Sequence, residues 1–174
     1  RSFLDLYATQ LAGFYDPIER RMVLVNEALA TGAFTRFVES VIRRDLAGEL
    51  VLGHELTHAL QDQHFGLSTG RGDIGEDDAQ LAQRAVYEGD ATLAGYATVL
   101  GGLSGRDAAS LAGKLDVLDE QMAHEYPTTP ALIRESVVFQ YVGGVHFVSR
   151  AYEKSGWKGV NALAGDPPRS TEQI

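Results

Sequence analysis

The sequence predicts a single α+β domain over residues 1–174, dominated by helices and carrying one small β-hairpin. Three observations predict it. Apolar residues recur at helical spacing through most of the chain after Phe34, an Asp-Pro turn separates two short apolar runs near the start, and no internal repeat marks a domain boundary. A chain of 174 residues, 44% of them apolar, can bury roughly two-thirds of its unfolded surface around one core.

Taken in order, Ser2 to Leu11 mixes apolar residues at loosely helical spacing and is consistent with a short helix or a strand. Gly13 to Pro17 reads as a strand running into a turn, and the apolar, β-branched Arg21 to Val25 as its return. From Phe34 to His64 the pattern is helical, with Phe37, Val41, Leu46, Leu50, Gly53, Thr57 and Leu60 recurring at threes, fours and one five, and an N-cap at Asp45 after a break. Gly66 to Asp78 is rich in glycine and acid and almost free of apolar residues, so it reads as an exposed loop. Its closing acids Glu76, Asp77 and Asp78 suit the start of a helix, where carboxylates meet the positive end of the dipole. Helices are expected over 79–100, ending at Gly101-Gly102, over 107–124, ending before Pro127, and over 131–154. An irregular tail containing Pro167-Pro168 follows.

Composition closes several function classes. Lys and Arg number 15 against 24 Asp and Glu, a net charge of −9, whereas a nucleic-acid partner calls for a basic face. Cysteine is absent, so any metal must be held by His and carboxylates. No run reaches the ~18 apolar residues of a membrane span. The chain opens at Arg1 without a basic-then-apolar leader, which leads us to expect a processed or trimmed form.

His54-Glu55-Leu56-Thr57-His58 is an H-E-x-x-H. Residues four apart on a helix lie one above the other, so both imidazoles can face one ion. Glu55 is turned about 100° from the first His, within reach of a water on that ion without being a ligand. Zinc lowers the pKa of such a water towards about 7, and the carboxylate can then take its proton. With this chain's own His and Glu usage, a chance match is expected in roughly one such sequence in a hundred.

A catalytic zinc site commonly has three protein ligands. His64 stands six residues after His58, as in H-E-x-x-H-x-x-G-x-x-H, but Gln61 replaces the bending glycine. On a continuing helix His64 points about 120° away from His58. The favoured third ligand is Glu88, on the next helix, which can run antiparallel to the first. Beside it, Gly89 costs a helix close to 1 kcal/mol relative to Ala, which suggests a close helix approach there.

HELTHALQDQHF, with EGDA some thirty residues later, resembles the gluzincin-type zinc peptidases. More narrowly, the AGFYDP, WKGVNAL and PPRSTEQI segments resemble a little-characterised bacterial group of predicted metallopeptidases, over nearly the whole chain. The resemblance implies a zincin-like fold, Zn2+ held by His54, His58 and Glu88, Glu55 as catalytic base, and a peptide or protein substrate. The E-x-x-x-D of thermolysin-like members is not matched, because Thr92 stands four after Glu88.

Supporting roles follow from position. Asp62, four after His58, either orients a ligand imidazole or is a surface acid. Asp90 leaves its helix opposite Glu88 and is expected to bond a neighbouring element. Tyr141 and His146 on the last long helix, and also Tyr126 and Tyr15, are candidates to stabilise an oxyanion. The hairpin offers an edge to which an extended peptide could add. The expected activity is zinc-dependent cleavage of peptide bonds, which gives an intact Glu55 its use. The alternatives are a non-catalytic zinc-bound interaction module and a zinc amidase acting on a non-protein amide.

Overall fold

The structure, a computed structural model, describes residues 13–24, 46–67 and 77–174. Two strands, β1 (Gly13–Asp16) and β2 (Arg21–Leu24), pair antiparallel with Phe14 opposite Val23 and Tyr15 opposite Met22. Asp16 makes the turn, since its Oδ1 accepts from the amides of Ile18 and Glu19 at 3.0 and 3.1 Å. Arg20 closes it at φ 50°, in the left-handed region. The hairpin is the one expected.

Six helices follow among the described residues: α1 (Ala47–Phe65), α2 (Asp77–Leu100), α3 (Gly105–Leu115), α4 (Leu118–Glu125), α5 (Ala131–Ser155) and α6 (Trp157–Gly165). A 3-10 turn over Thr171–Gln173 ends the chain. No helix among the described residues is long and apolar enough to cross a membrane. The expectations for Ser2 to Leu11, for Phe34 to Asp45 and for most of the 66–78 loop lie outside the described residues. Of the residues expected at helical spacing along α1, Leu50 is buried and Gly53 meets α2, whereas Leu60 is exposed.

Helix ends carry the signals that stop and start them. Gly66 takes φ 70° and donates to the Asp62 carbonyl, closing α1. Gly101 and Gly102 close α2 by donating to the carbonyls of Thr98 and Ala97, the paired bonds of a Schellman turn. Ser104 and Asp107 form a reciprocal capping box at the start of α3. Asp77 and Asp78 open α2, and Asp78 also receives the Thr171 amide and hydroxyl, which ties the tail to that end.

Two expectations are corrected. The helix expected over 107–124 is two helices, interrupted at Asp116-Val117. The segment after Lys154 is not irregular throughout: Trp157–Gly165 is helical, with Val160 and Ala164 buried.

Among the described residues α2 is central, with α1 on one side and α5 on the other. The core, including Val86, Leu93, Leu111, Leu115, Met122, Tyr126, Val145, Val148 and Val160, lies where α2 and α5 meet α3, α4 and α6. Glycine sets both flanks. A Cβ on Gly95 would lie 2.7 Å from the Leu50 carbonyl oxygen of α1, and one on Gly144 of α5 would press on the Ala85 carbonyl of α2. The close approach expected at Gly89 is therefore real, but its partner is Gly144 rather than the H-E-x-x-H helix. Gly113, on the outside of α3, has room for a methyl group, since a Cβ there would meet nothing within 4 Å. Gly113→Ala should accordingly raise stability by about 0.5–1 kcal/mol, read from urea unfolding, through helix propensity alone.

Candidate metal centre

The antiparallel packing of α1 and α2 builds the site. Leu50 faces Gly95, while His54 and His58 face Glu88 seven residues, or two turns, earlier on α2. His54 Nε2 and His58 Nε2 lie 3.0 Å apart, and Glu88 Oε2 is 3.3 Å from the first and 3.6 Å from the second. Glu88 Oε2 is buried and finds no aligned hydrogen-bond donor among the described residues.

The spacing of these atoms also suits the ligands of a single cation. A tetrahedral ion bound at about 2.0–2.2 Å by nitrogen and oxygen spaces its ligand atoms roughly 3.3 Å apart. The observed separations straddle that value. His54, His58 and Glu88 could thus hold a metal ion. Glu55 is buried beside them, and its charge acts on His58.

Electrostatics without an ion follow from the same geometry. Burial opposes charge on His58, but Glu88, the Gln61 hydrogen bond and Glu55 outweigh it and raise the imidazole to about 9. Burial likewise opposes charge on Glu88, yet the imidazoles of His58 and His54 hold its carboxyl far below the usual range.

His64 is exposed beside Phe65, with ring centroids 6.3 Å apart, and is not in the cluster. Asp62 does not orient an imidazole: it accepts the Tyr15 hydroxyl at 3.0 Å and the Leu67 amide at 3.2 Å, tying the hairpin and the end of α1 together. That bond also occupies the Tyr15 hydroxyl. His146 is two residues past Gly144, which faces α2, and its Nε2 meets Asp116 at 2.7 Å. Tyr141 is half-buried against the core and Tyr126 lies within it.

One residue has a role that its sequence position does not announce. Gln61, 2% exposed, places Oε1 2.8 Å from His58 Nδ1 and directs Nε2 to the Tyr87 carbonyl at 3.1 Å and Asp90 Oδ2 at 2.8 Å. Asp90 does bond a neighbouring element, as expected, but that element leads back to a ligand. Burial raises its carboxyl, partly offset by Gln61. The one signal for Gln61 is its place three residues after His58, a helical neighbour position open to any residue type. No protein-family model matches the chain, and comparison with curated proteins and with solved structures finds no match.

Proposed function

We propose that this chain is a zinc-dependent peptidase of the gluzincin type, acting within peptide or protein chains. The observation that carries the reading is the convergence of His54, His58 and Glu88 from two helices, with Glu55 buried beside them. Two neutral imidazoles and a carboxylate are a donor set suited to zinc, and in a four-coordinate site they leave one position for chemistry. When bound there, zinc would act as a Lewis acid towards the scissile carbonyl and the attacking water.

The chain's own residues supply the proton transfers. Glu55, adjacent to a ligand but not one itself, accepts the proton of the attacking water and returns it to the leaving amine. A structural zinc has no need of such a carboxylate, which favours catalysis over an interaction module. The test is cleavage of a diverse peptide mixture by the zinc-loaded protein, read by mass spectrometry. Cuts should vanish on chelation and return with zinc. A zinc-loaded protein that makes no cuts would overturn the peptidase reading in favour of a non-catalytic module or a non-peptide amide.

The electrostatics give a second expectation. His58 has its folded pKa raised, so in the metal-free protein its stabilising proton is fully present below about pH 6.5 and is lost as pH rises through about 9. His58 would have to give up that proton to hold zinc. Binding at pH 7 should therefore release about one proton from His58, and affinity should climb about tenfold per pH unit towards pH 9. Titration calorimetry in buffers of different ionisation enthalpy measures this, and pH-independent binding would contradict it.

A further inference from the structure

We infer that Gln61, held by the Tyr87 carbonyl and Asp90, is a positioning residue that fixes which nitrogen of His58 faces the metal. The inference rests on the metal-binding reading above and adds to it a control exerted by α2 on a ligand of α1.

A primary amide has an oxygen that only accepts and a nitrogen that only donates. On the α2 side Gln61 meets a backbone carbonyl and a carboxylate, at 3.1 and 2.8 Å. The carbonyl can only accept, and an ionised carboxylate likewise, so the Gln61 NH2 must face α2. Its oxygen is left facing His58 Nδ1 at 2.8 Å, and Nδ1 must therefore carry a hydrogen. A neutral imidazole protonated at Nδ1 has its lone pair on Nε2, the atom directed at His54 and Glu88. The opposite tautomer would leave two acceptors face to face in a buried place, since Gln61 and Asp90 are 2% and 7% exposed.

Asp90 reinforces the direction that the Tyr87 carbonyl gives the amide, and it does so through Gln61. Neighbours that hold a ligand imidazole this way commonly change metal affinity by about 10–100-fold when removed. His54 has no such support: its Nδ1 is buried without a hydrogen-bond partner among the described residues. Gln61 thus supports one of the two histidines alone, the one whose ring it reaches from the next turn of the same helix.

The experiment measures zinc affinity by chelator competition and the His ring tautomers by long-range proton–nitrogen NMR on the zinc-loaded protein. In the unmodified protein His58 should show a protected Nδ1–H with Nε2 bound to the metal. Gln61→Leu should weaken zinc by about 10–100-fold and expose or remove that protected proton. Asp90→Asn keeps an acceptor towards Gln61 and should leave both readouts near those of the unmodified protein, whereas Asp90→Leu should shift both in the direction of Gln61→Leu. Circular dichroism of the metal-free variants separates these effects from loss of fold.

If Gln61→Leu does not fold, the ring assignment in the unmodified protein and the Asp90 pair decide. A His58 bound through Nδ1, or a folded Gln61→Leu protein with unchanged affinity and tautomer, would overturn the inference while leaving the metal site standing. An unmodified protein that binds no zinc would instead overturn the reading on which it rests.

Discussion

Glu55→Gln should lower the turnover of any cleaved peptide by about 10²–10⁴-fold while zinc remains bound. The substitution preserves size and leaves His54, His58 and Glu88 in place, but an amide nitrogen cannot accept the proton of an attacking water. The loss should fall on kcat and on kcat/KM together, because what is removed is an interaction made in the transition state. Glu55 also contributes to holding the proton on His58, so the variant should need slightly less alkaline conditions to take up zinc. Zinc content and peptide cleavage measured on the same preparation check this pair of effects. A variant that holds zinc and cuts at the original rate would remove Glu55 from the mechanism.

What the sequence shows of such a site is what lies within one helix. The four-residue spacing of His54 and His58 is a property of α1 alone, and Gly89 marks α2 as a helix that something approaches closely. Which neighbour approaches is a tertiary matter. Gln61 and Asp62 stand three and four residues after His58, the two later positions on α1 that can reach it, and from sequence only the acid stands out as a partner for an imidazole. The fold decides otherwise, because α2 covers Gln61 while the hairpin takes Asp62 through Tyr15.

The misread helices have equally specific causes. Leu111, Leu115, Leu118 and Met122 keep helical spacing across the α3–α4 break, so apolar periodicity runs straight through it. Asp116 and Val117 remain right-handed there, with φ −57° and −77°, and no glycine or proline punctuates the sequence between the two helices. At α6 the reverse holds. Gly156, Gly159 and Gly165 lower the local helix propensity, and packing overrides it: a Cβ on Gly159 would lie 2.6 Å from the Ala151 carbonyl oxygen of α5. The hairpin and the bounds of α2 and α5 were legible because their limits are set locally, by Asp16, Gly101-Gly102 and Pro130.

The helix crossing at Gly89 and Gly144 carries the largest stability effect expected. Gly144→Ala should cost the metal-free protein about 3 kcal/mol, near the upper end for an overpacked core. Added bulk is tolerated when a flexible side chain can yield, but here the new methyl group meets the carbonyl of Ala85, part of a hydrogen-bonded helix. α5 and α2 would have to part, loosening Val86, Val145 and Val148, which are fully buried along that contact. Nor can α2 move freely away towards α1, since Gly95 is already seated against the Leu50 carbonyl on that side. The same reasoning predicts a comparable loss for Gly89→Ala, and the double variant should cost less than the sum, because helices parted once need not part again. Urea unfolding of metal-free protein measures each, and Gly113→Ala, with the opposite expected sign, controls for the intrinsic preference of helices for alanine. Glu88 neighbours Gly89, so displacement of α2 should also weaken zinc, although neither glycine touches a ligand atom. Full stability together with unchanged zinc affinity in Gly144→Ala would show that the backbone contact does not constrain α2, and that Glu88 is placed by α1 alone.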